Sequence, residues 1–369
     1  MDEAVQITDA SELHYVAEGA ANVVYEVIDD IDWNGYLLRV RKKVAAQPST
    51  LTVYSFLRET IEPLFEDQIV ATQLVRIDPA VLESLNTDLA ALEAAGQRHP
   101  KRLGTIVDTS EPYALLVQDM RPVSMLRTEA GDIVEQWTRA SNTTSLGFIR
   151  QLHSNGCLET AVLEFKPKWL VQSHDAPEGW IYCRTCALRH MRAAQRGIEF
   201  GAEEGAFCPL DLVSHDHVRI ERALQALWPE RKGGEGDRVL TKAVLVKAIT
   251  KFVECFRVFD RLAQVQRDMD TRGVLAVTDE DDDNNLAIAM AVRDCSAFMR
   301  VVYGDPVDEE DGDELLMVDG RDLLVTCRFA DMDVKDSSGT KRVYWAGIER
   351  ALREGGWYTR IYGDAARCG

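Results

Sequence analysis

The sequence predicts an α+β protein that is large enough for two domains, and three observations support this prediction. The chain has 369 residues, of which 46% are apolar and 28% are charged, a balance typical of a globular protein. Segments with the two-residue period of strands occur along the chain together with segments that have the 3.6-residue period of helices. Residues 162–192 combine a buried strand, a polar loop and a helix, and they carry an unusual concentration of cations.

The net charge of the chain is strongly acidic. Lys and Arg number 42 against 61 Asp and Glu, which gives a formal net charge of -19 at pH 7. A chain with this charge is a poor non-specific partner for nucleic acid or for an anionic membrane. Any anion that it binds must therefore lie in a local cluster of cations, so such clusters are more informative here than in a basic protein.

Hydropathy and cysteine use favour a reducing, intracellular compartment. Residues 1–13 contain neither a basic segment nor an apolar run, so we expect no secretory signal. No apolar stretch approaches the roughly 20 residues that a membrane-spanning helix needs. Of the eight cysteines, only Cys183 and Cys186 lie close together in sequence, which argues against a disulfide framework.

A turn of small residues follows the first predicted strand. Gly19, Ala20 and Ala21 allow backbone to come close to another group, and Asn22 tolerates unusual turn dihedrals. We refer to these four residues as the small-residue turn. A simple β-turn is one interpretation, and a loop that covers phosphates is the other.

The next predicted strand, residues 36–43, carries cations on one face. Its alternation places Leu38 and Val40 on one side and Arg39 and Arg41 on the other. A cation on the strand after a small-residue turn is an arrangement that nucleotide kinases use to hold phosphates. The alternative is an exposed edge strand that its charges keep soluble.

Residues 51–65 and 79–95 have apolar side chains at helical spacing, and a basic patch follows at residues 98–102. Residues 113–120 then form a predicted buried strand. In a two-lobed kinase, such a strand leads into the hinge where backbone groups bind the adenine edge. A plain core strand is the alternative, and both descriptions can hold.

A second strand ends in charged residues. After a predicted short helix at residues 146–152, Glu164, Lys166 and Lys168 alternate with apolar residues and are expected to face one side. Pro167 ends the strand, because proline cannot donate to the ladder. These charges are either an ion pair on a surface strand or part of a site, and the apolar run before them favours a site.

Four helices are predicted in the second half of the chain, at residues 183–194, 215–228, 239–269 and 341–353. The first carries Arg184 and Arg192 on one side. The last is basic, and it carries Lys341, Arg342 and Tyr344.

Aspartates lie at the ends of two further strands. Asp294 stands at the start of one, and Asp331 and Asp333 stand at the end of the other, with Lys335 just beyond. Aspartate is common in turns, so each position alone is readily structural. Together with a phosphate loop and a cation cluster, the two positions fit a general base and a magnesium ligand.

One group of residues has the spacing of a zinc site. Cys183 and Cys186 form a Cys-x-x-Cys pair, His190 lies one turn further on, and Cys208 follows. The alternative is that the two cysteines are small buried side chains.

Seven segments appear in the order seen in inositol-pentakisphosphate 2-kinases, and the chain resembles a fungal member of that family. The segments are Glu18-Gly-Ala-Ala-Asn-Val-Val, Leu38-Arg-Val-Arg-Lys, Glu164-Phe-Lys-Pro-Lys, Cys183-Arg-Thr-Cys, Pro209-Leu-Asp-Leu, Asp294-Cys-Ser and Asp331-Met-Asp-Val-Lys. The third and fifth are the specific ones. With the last helix, the resemblance spans residues 18–344.

The resemblance implies a two-lobed, protein-kinase-like fold, with an N-lobe at residues 1–120 and a C-lobe at residues 121–369. It implies that the γ-phosphate of ATP, with Mg²⁺, is transferred to the 2-hydroxyl of inositol 1,3,4,5,6-pentakisphosphate to give phytate. It also implies a monomer in the nucleus or cytoplasm that binds neither nucleic acid nor membrane.

The resemblance also implies roles for individual residues. Asp294 and Lys168 would be catalytic, and Asp331 would bind magnesium. The nucleotide would be bound by Gly19, Ala20, Ala21, Asn22, Arg39, Gln118, Asp119, Met120, Glu164 and Lys166. The inositide would be bound by Arg102 (with one gap in the match), Lys168, Arg184, Arg192, Lys335, Tyr344 and either Lys341 or Arg342.

The chain departs from the family pattern at two places, and two rival functions stand beside the kinase. The Met-His-Gln that is usual in the family is replaced here by Ala187-Leu188-Arg189. Plant and animal members of the family carry a Cys/His zinc site in an insertion, but residues 261–293 contain neither Cys nor His, so we expect that site to be missing. A non-catalytic inositide-binding scaffold would lose the strand-end aspartates or Arg39, and this chain keeps them. An inositol polyphosphate multikinase would carry a Pro-x-x-x-Asp-x-Lys-x-Gly box, which the sequence lacks.

Overall fold

The computed structural model describes residues 5–27, 33, 35–44, 47–121, 133–140, 145–152, 158–198, 207–228, 239–277, 284–304, 313–335, 339–361 and 367–368. It is an α+β structure with two compact units. The first unit comprises Met1–Pro63 and Val70–Leu126, and the second comprises Leu64–Ile69 and Arg127–Gly369. No helix in these residues is both long and apolar enough to cross a membrane.

The first unit contains a six-stranded sheet. Its strands are β1 (Gln6–Ile7), β2 (Leu13–Glu18), β3 (Asn22–Val27), β4 (Tyr36–Arg41), β5 (Thr72–Ile77) and β6 (Tyr113–Gln118), in the order β1-β5-β6-β4-β3-β2. All neighbours are antiparallel except β1 and β5. Because β4 lies between β3 and β6, its interpretation as an edge strand is wrong. Leu38 and Val40 are buried on it, while Arg39 and Arg41 are only half-buried, as the alternation predicts.

The longest described helix of the first unit, α3 (Pro79–Ala94), begins at residues that the sequence marks clearly. Before it, helix α1 (Thr50–Phe56) continues through a π-helical segment (Leu57–Ile61) into α2 (Glu62–Phe65). Asp78 caps α3 by accepting from the Ala80 N–H at 2.8 Å, and proline occupies the first helical position. Leu82, Leu85 and Leu89 of α3 pack into the core beside the sheet.

The second unit contains an antiparallel six-stranded sheet. Its strands are β7 (Ile133–Ala140), β8 (Ser145–Leu152), β9 (Glu159–Phe165), β10 (Ser296–Tyr303), β11 (Glu314–Val318) and β12 (Arg321–Ala330), in the order β11-β12-β10-β9-β8-β7. The predicted short helix at residues 146–152 is wrong, because this segment is strand β8. Its eight residues pair with β7 on one side, and Leu146 to Leu152 pair with β9 on the other.

The described residues of the second unit that follow β9 include six α-helices: α4 (Arg184–Gln195), α5 (His217–Leu227), α6 (Lys242–Phe256), α7 (Val258–Met269), α8 (Asn284–Val292) and α9 (Gly339–Glu354). The single helix predicted at residues 239–269 is wrong, because Arg257 takes a left-handed conformation (φ 52°) and separates α6 from α7. The helix predicted from residue 215 begins at His217 instead. Asp216 caps it, and His215 has a positive φ.

Three aromatic rings anchor the strand ends that carry the charged residues. Phe165 closes β9, Phe329 lies near the end of β12, and Phe259 lies on α7 between them. All three are fully buried, with ring centroids 5.9 Å apart for Phe165 and Phe259 and 6.1 Å for Phe259 and Phe329. Packed aromatic rings of this kind fix the direction in which the chain leaves each strand.

Candidate active site

Asp294 is the centre of a cluster of lysines in the second unit. It lies in the short connection between α8 and β10. Its carboxylate accepts from Lys168 Nζ at 3.0 Å and from Lys335 Nζ at 3.2 Å, and its backbone carbonyl accepts from Lys166 Nζ at 2.5 Å. The structure therefore brings together four residues that the sequence singled out from three separate segments.

The lysines set the ionisation of the Asp294 carboxylate. Partial burial disfavours its charge, but Lys168, Lys335 and Lys166 together outweigh burial and hold its pKa well below the usual value. Burial lowers the pKa of Lys168 in turn, while Asp294 opposes that change. At neutral pH, Asp294 is thus ionised and hydrogen-bonded to cations, although its side chain is still 47% exposed.

The conformation of Lys168 departs from the predicted strand. Strand β9 ends at Phe165, and Lys168 has a left-handed backbone with φ 63°, which is uncommon for a residue with a side chain. The buried Gln266 of α7 holds this segment from both sides. It donates to Lys168 O at 2.8 Å and accepts from Leu170 N at 2.9 Å. A strained backbone held this firmly is typical of functional sites.

A second group of oxygen atoms lies beside the lysines. Ser296 Oγ lies 2.9 Å from Glu164 Oε1 and 3.3 Å from Asp331 Oδ2, and Lys166 Nζ lies 3.9 Å from the same Asp331 oxygen. Burial raises the pKa of Glu164, and the charge of Asp331 raises it further. Gly147 on β8 faces Glu164, where an added Cβ would lie 3.4 Å from Glu164 Oε2.

A pocket of about 290 Å³ adjoins Asp294, and we call it the cation pocket. Asp294 forms part of its wall, and Trp169, Trp345 and Tyr344 contribute aromatic surface. Six cationic side chains also line it: Lys168, Arg184, Arg192, Arg293, Lys335 and Lys341. Five of these six were predicted as inositide ligands or as alternatives for one.

Arg184 is held in the pocket wall by a buried partner. Its Nε donates to Glu349 Oε2 at 3.2 Å, and its guanidinium lies 4.4 Å from the centre of the Trp169 ring. Glu349 is fully buried on α9 and also accepts from the hydroxyl of Tyr358. Because a buried charge without a partner is costly, Glu349 is what permits an arginine at this position.

Arg293 is a pocket residue that sequence reasoning missed. It is buried, pairs with Asp270 at 2.7 Å, and stacks on Trp169 with its guanidinium carbon 3.5 Å from the ring centre. Its Nε and Nη2 have no hydrogen-bond partner among the described residues. The only sequence signal was its position directly before Asp294, because its ion-pair and stacking partners lie in distant segments.

The final helix separates the two candidates Lys341 and Arg342. Lys341 and Tyr344 line the cation pocket. Arg342 is buried, does not line the pocket, and donates through Nη1 to Val277 O at 2.9 Å. Of the two alternatives, Lys341 is the residue that faces the pocket.

In the first unit, the small-residue turn connects β2 to β3 and is tied to Arg39. Gly19 N donates to Asn22 O at 2.9 Å, which closes the turn. With the Asn22 amide oriented to satisfy both of its ends, its side-chain oxygen accepts from Arg39 Nη2 at 2.7 Å and Nε at 2.9 Å. The turn and the cation that sequence analysis linked are thus in direct contact.

A buried ion cluster supports this turn, and sequence reasoning missed it. Lys42 is fully buried and donates to Gly19 O at 3.0 Å and to the carboxylate of Glu18. Arg98 donates to both oxygens of Glu18, at 2.9 and 2.8 Å. Burial opposes the charge of Glu18, but the hydrogen bonds from Arg98 and Lys42 outweigh it and lower its pKa to about 2.

The predicted hinge residues are the last residue of β6, Gln118, and the two that follow it, Asp119 and Met120. Asp119 N donates to Gly35 O at 2.7 Å, and its carboxylate binds the guanidinium of Arg121. Gln118 N donates to Ala71 O, and Met120 is buried. These interactions occupy the backbone N–H groups of Gln118 and Asp119.

Arg102 also lies in the first unit. It ends a short 3₁₀ turn (Pro100–Arg102), donates its N–H to His99 O at 2.8 Å and accepts from Thr105. All the residues that line the cation pocket belong to the second unit, and Arg102 is not among them.

The predicted zinc ligands lie together only in part. The Sγ atoms of Cys183, Cys186, Cys208 and Cys368 all lie within 4.8 Å of one another. His190 is not in this group, and its ring packs edge-on against Tyr182 with centroids 4.4 Å apart. The fourth thiol, Cys368, was not anticipated.

Comparison with known families identifies the family to which the chain belongs. A family model described as inositol-pentakisphosphate 2-kinase matches residues 15–351. The chain belongs to the inositol-pentakisphosphate 2-kinase family. The resemblance that its motifs indicated is therefore confirmed, and the chain is a kinase whose family acts on an inositol phosphate.

Named relatives within the inositol-pentakisphosphate 2-kinase family include two from yeasts. The inositol-pentakisphosphate 2-kinase of Yarrowia lipolytica is 28% identical over 349 residues, which cover 93% of this chain and 91% of the relative. That of Debaryomyces hansenii is 26% identical over 373 residues, which cover 95% and 93%. The similarity thus extends over nearly the whole length of all three chains.

Proposed function

We propose that the chain transfers the γ-phosphoryl group of ATP to the 2-hydroxyl of inositol 1,3,4,5,6-pentakisphosphate, giving the hexakisphosphate, on a two-lobed protein-kinase-like fold. The observation that carries this proposal is the position of Asp294. It lies at the wall of a pocket with six cations, within hydrogen-bond reach of Lys168 and Lys335.

The charge of the pocket suits an inositol polyphosphate. Five phosphate groups carry roughly −8 to −10 charges at neutral pH, if each carries about −1.5 to −2. The cation pocket combines lysines, which act as point charges, with arginines, whose guanidinium groups bind phosphate oxygens in pairs. In a chain with a net charge of -19, such a concentration of cations supports a site for a small, highly charged anion.

Asp294 is the proposed general base. As an ionised carboxylate at the pocket wall, it can accept the hydrogen bond of the attacking hydroxyl and orient it. Substrate phosphates compete with Asp294 for Lys168 and Lys335, which weakens the interactions that lower its pKa. The basicity of Asp294 therefore rises when the substrate is bound, which is when Asp294 must take up the hydroxyl proton. Lys168, freed toward the phosphates, stabilises the charge that develops in the transition state.

The oxygen atoms around Ser296 fit a hard cation. The Asp331 side chain is 53% exposed. The carboxylates of Asp331 and Glu164 both lie within hydrogen-bond distance of the Ser296 hydroxyl. Carboxylate oxygens are the ligands that Mg²⁺ prefers, so Asp331 is the proposed magnesium ligand. When bound, Mg²⁺ neutralises charge on the ATP phosphates. We propose that Lys166 and Glu164 lie on the nucleotide side.

The first unit is proposed to contribute the other nucleotide ligands. Arg39 is fixed by Asn22 beside the small-residue turn, which keeps a cation next to backbone suited to phosphate. The resemblance assigns Gln118, Asp119 and Met120 to the adenine and Arg102 to the inositide.

The test is to incubate the protein with ATP, magnesium and inositol pentakisphosphate and to follow the hexakisphosphate by ion-exchange chromatography. We expect product with wild-type protein and a turnover lower by about 10²–10⁴-fold with Asp294→Asn, the range for a lost general base. Asp319→Asn is the matched control, because this exposed aspartate pairs with Lys247 at 2.9 Å and does not line the pocket.

Three results would contradict the proposal or part of it. Binding of the inositide without any product would indicate a non-catalytic scaffold. Product formed from inositol phosphates that already carry a 2-phosphate would indicate a different acceptor position, as in a multikinase. Unchanged turnover in Asp294→Asn would remove the assigned base.

A further inference from the structure

Four cysteine thiols converge in the second unit although they come from three separate segments. The Sγ atoms of Cys183, Cys186, Cys208 and Cys368 all lie within 4.8 Å of one another, and those of Cys183 and Cys208 are 3.8 Å apart. Three of the four are buried, in an apolar cluster that includes Tyr182, and Cys208 packs against this cluster.

Each thiol is positioned by its own backbone. Cys183 caps α4, and its sulfur accepts from the Cys186 N–H at 3.5 Å. Cys208 directly precedes the 3₁₀ helix Pro209–Val213. The backbone N–H of Cys368 donates to Ile181 O at 2.9 Å, and its backbone carbonyl accepts from Arg219 Nη2 at 3.0 Å. Three separately anchored segments thus bring the four thiols to one place.

We propose that Cys183, Cys186, Cys208 and Cys368 bind one Zn²⁺ ion as four thiolates. A tetrahedral site with Zn–S bonds of about 2.3 Å has sulfur atoms about 3.8 Å apart. The Cys183–Cys208 distance already matches this edge, and the remaining pairs need to shorten by at most about 1 Å to reach it. Binding replaces the four S–H protons with four S–Zn bonds and releases those protons to solvent.

The spacing distinguishes this site from other uses of four cysteines. All four cysteines are free in the structure, and the 3.8 Å between the sulfur atoms of Cys183 and Cys208 is far from the roughly 2.05 Å of a disulfide. A mononuclear tetrahedral site of four thiolates is typical of structural zinc. The resulting excess of negative charge has cations nearby, because Arg189 interacts electrostatically with Cys186 and Arg222 with Cys208.

The site differs from the one that the sequence spacing suggested. The sequence spacing offered His190 as one of four possible ligands, but its ring packs on Tyr182, and Cys368 is the thiol that joins the other three. It also lies outside residues 261–293, the region of the zinc insertion in plant and animal members.

Zinc at this position would fix the helix that carries two pocket arginines. Cys183 and Cys186 lie at the start of α4, and Arg184 and Arg192 on the same helix line the cation pocket. The metal would therefore fix the start of α4 through two cysteines that do not line the cation pocket. This consequence rests on the proposed function, whereas metal binding itself does not.

The first measurement is the metal content of the full chain purified with zinc in the medium and without chelator. We expect about one equivalent of zinc in wild-type protein and in His190→Ala, and less than about 0.2 equivalents in Cys368→Ser. Cys255→Ser, at an exposed cysteine outside the group, is the matched control and should keep its zinc.

The second measurement needs no variant. Wild-type protein depleted of zinc and titrated with Co²⁺ should show the thiolate-to-cobalt absorption and the intense visible bands of a tetrahedral site. Less than a tenth of an equivalent of zinc in wild-type protein would overturn the proposal. So would a mass that reveals a disulfide among the four, iron in place of zinc, or loss of zinc from His190→Ala but not from Cys368→Ser. Failure of kinase activity would leave these readouts unaffected.

Discussion

The buried ion cluster around Glu18 predicts a large and specific effect of Glu18→Gln. The Glu18 carboxylate accepts from both Lys42 and Arg98, and the side chains of all three are at most 2% exposed. The substitution keeps the shape of the side chain and removes its charge. Two cations then remain buried beside the small-residue turn with no carboxylate between them.

The size of the effect follows from the pKa of Glu18. The pKa of Glu18 is about 2 in the folded protein against an ordinary value of 4.5, which corresponds to a stabilisation of at most about 3 kcal/mol. Because the pKa is lowered in the folded state, this stabilisation is present above about pH 4.5 and is lost as pH falls toward 2. Removal of one partner of a buried ion pair costs about 3–5 kcal/mol by a separate argument. We therefore expect Glu18→Gln to lose about 3 kcal/mol at neutral pH.

The assay is urea unfolding of wild type, Glu18→Gln and Glu93→Gln at about pH 7 and about pH 3.5. Glu93 is the matched control, because it binds the same Arg98 at 2.9 Å but is 35% exposed, so its loss should cost less than about 1 kcal/mol. The difference between wild type and Glu18→Gln should shrink by about 1 kcal/mol at the lower pH. A cost for Glu18→Gln no larger than that for Glu93→Gln, or a gap that grows as pH falls, would refute this reasoning.

Three further predictions concern the second unit. Arg293→Lys keeps the charge but loses the planar group that stacks on Trp169, so the KM for the inositide should rise about tenfold. Arg342→Lys, at an arginine that does not line the pocket, should leave the KM within about twofold. Equal effects of the two substitutions would contradict the placing of Arg293, rather than Arg342, in the pocket. Gly273→Ala should lower the free energy of unfolding by about 2–4 kcal/mol, because φ is +85° and the new Cβ meets an aspartate carboxylate at 2.7 Å. Gly197→Ala, with a positive φ but open space, should cost only about 1 kcal/mol in the same denaturation experiment. Glu349→Gln should cost about 3 kcal/mol by thermal unfolding, since it leaves a buried arginine without a carboxylate, and a loss below about 1 kcal/mol would argue against that pair.

Local signals predicted much of the fold, and long-range packing decided the rest. Helix α3 was readable because Asp78 and Pro79 mark its start and leucines recur at helical spacing. The break at Arg257 was not readable, because neither glycine nor proline marks it. Strand β8 was mistaken for a helix because its apolar residues show no clear period, and its pairing with β7 and β9 decides its conformation.

The same distinction applies to the cysteine group. Cys183 and Cys186 were recognisable from their spacing, and a histidine one turn later looked like a plausible third ligand. Cys368 could not be connected to them, because it lies far along the chain and is placed beside them by tertiary contacts, among them the hydrogen bond from its N–H to Ile181 O and the one from Arg219 to its carbonyl. A ligand that tertiary structure supplies leaves no local pattern in the sequence.

Five of the six pocket cations were predicted from sequence, but the pairing of Lys168 with Asp294 and of Arg184 with Glu349 was not. Lys168 binds Asp294 across 126 residues of sequence, and Arg184 binds Glu349 across 165. Several cations that lie this close together repel one another, and partial burial strengthens that repulsion. Internal carboxylates reduce this cost and hold the cations in place. A polyphosphate that enters the pocket must compete with Asp294, which is half exposed, but cannot displace Glu349, which is fully buried. On the proposed function, Lys168 and Lys335 are therefore the cations that can follow the substrate, whereas Arg184 is held in place by Glu349. These two lysines share Asp294, which we propose as the general base.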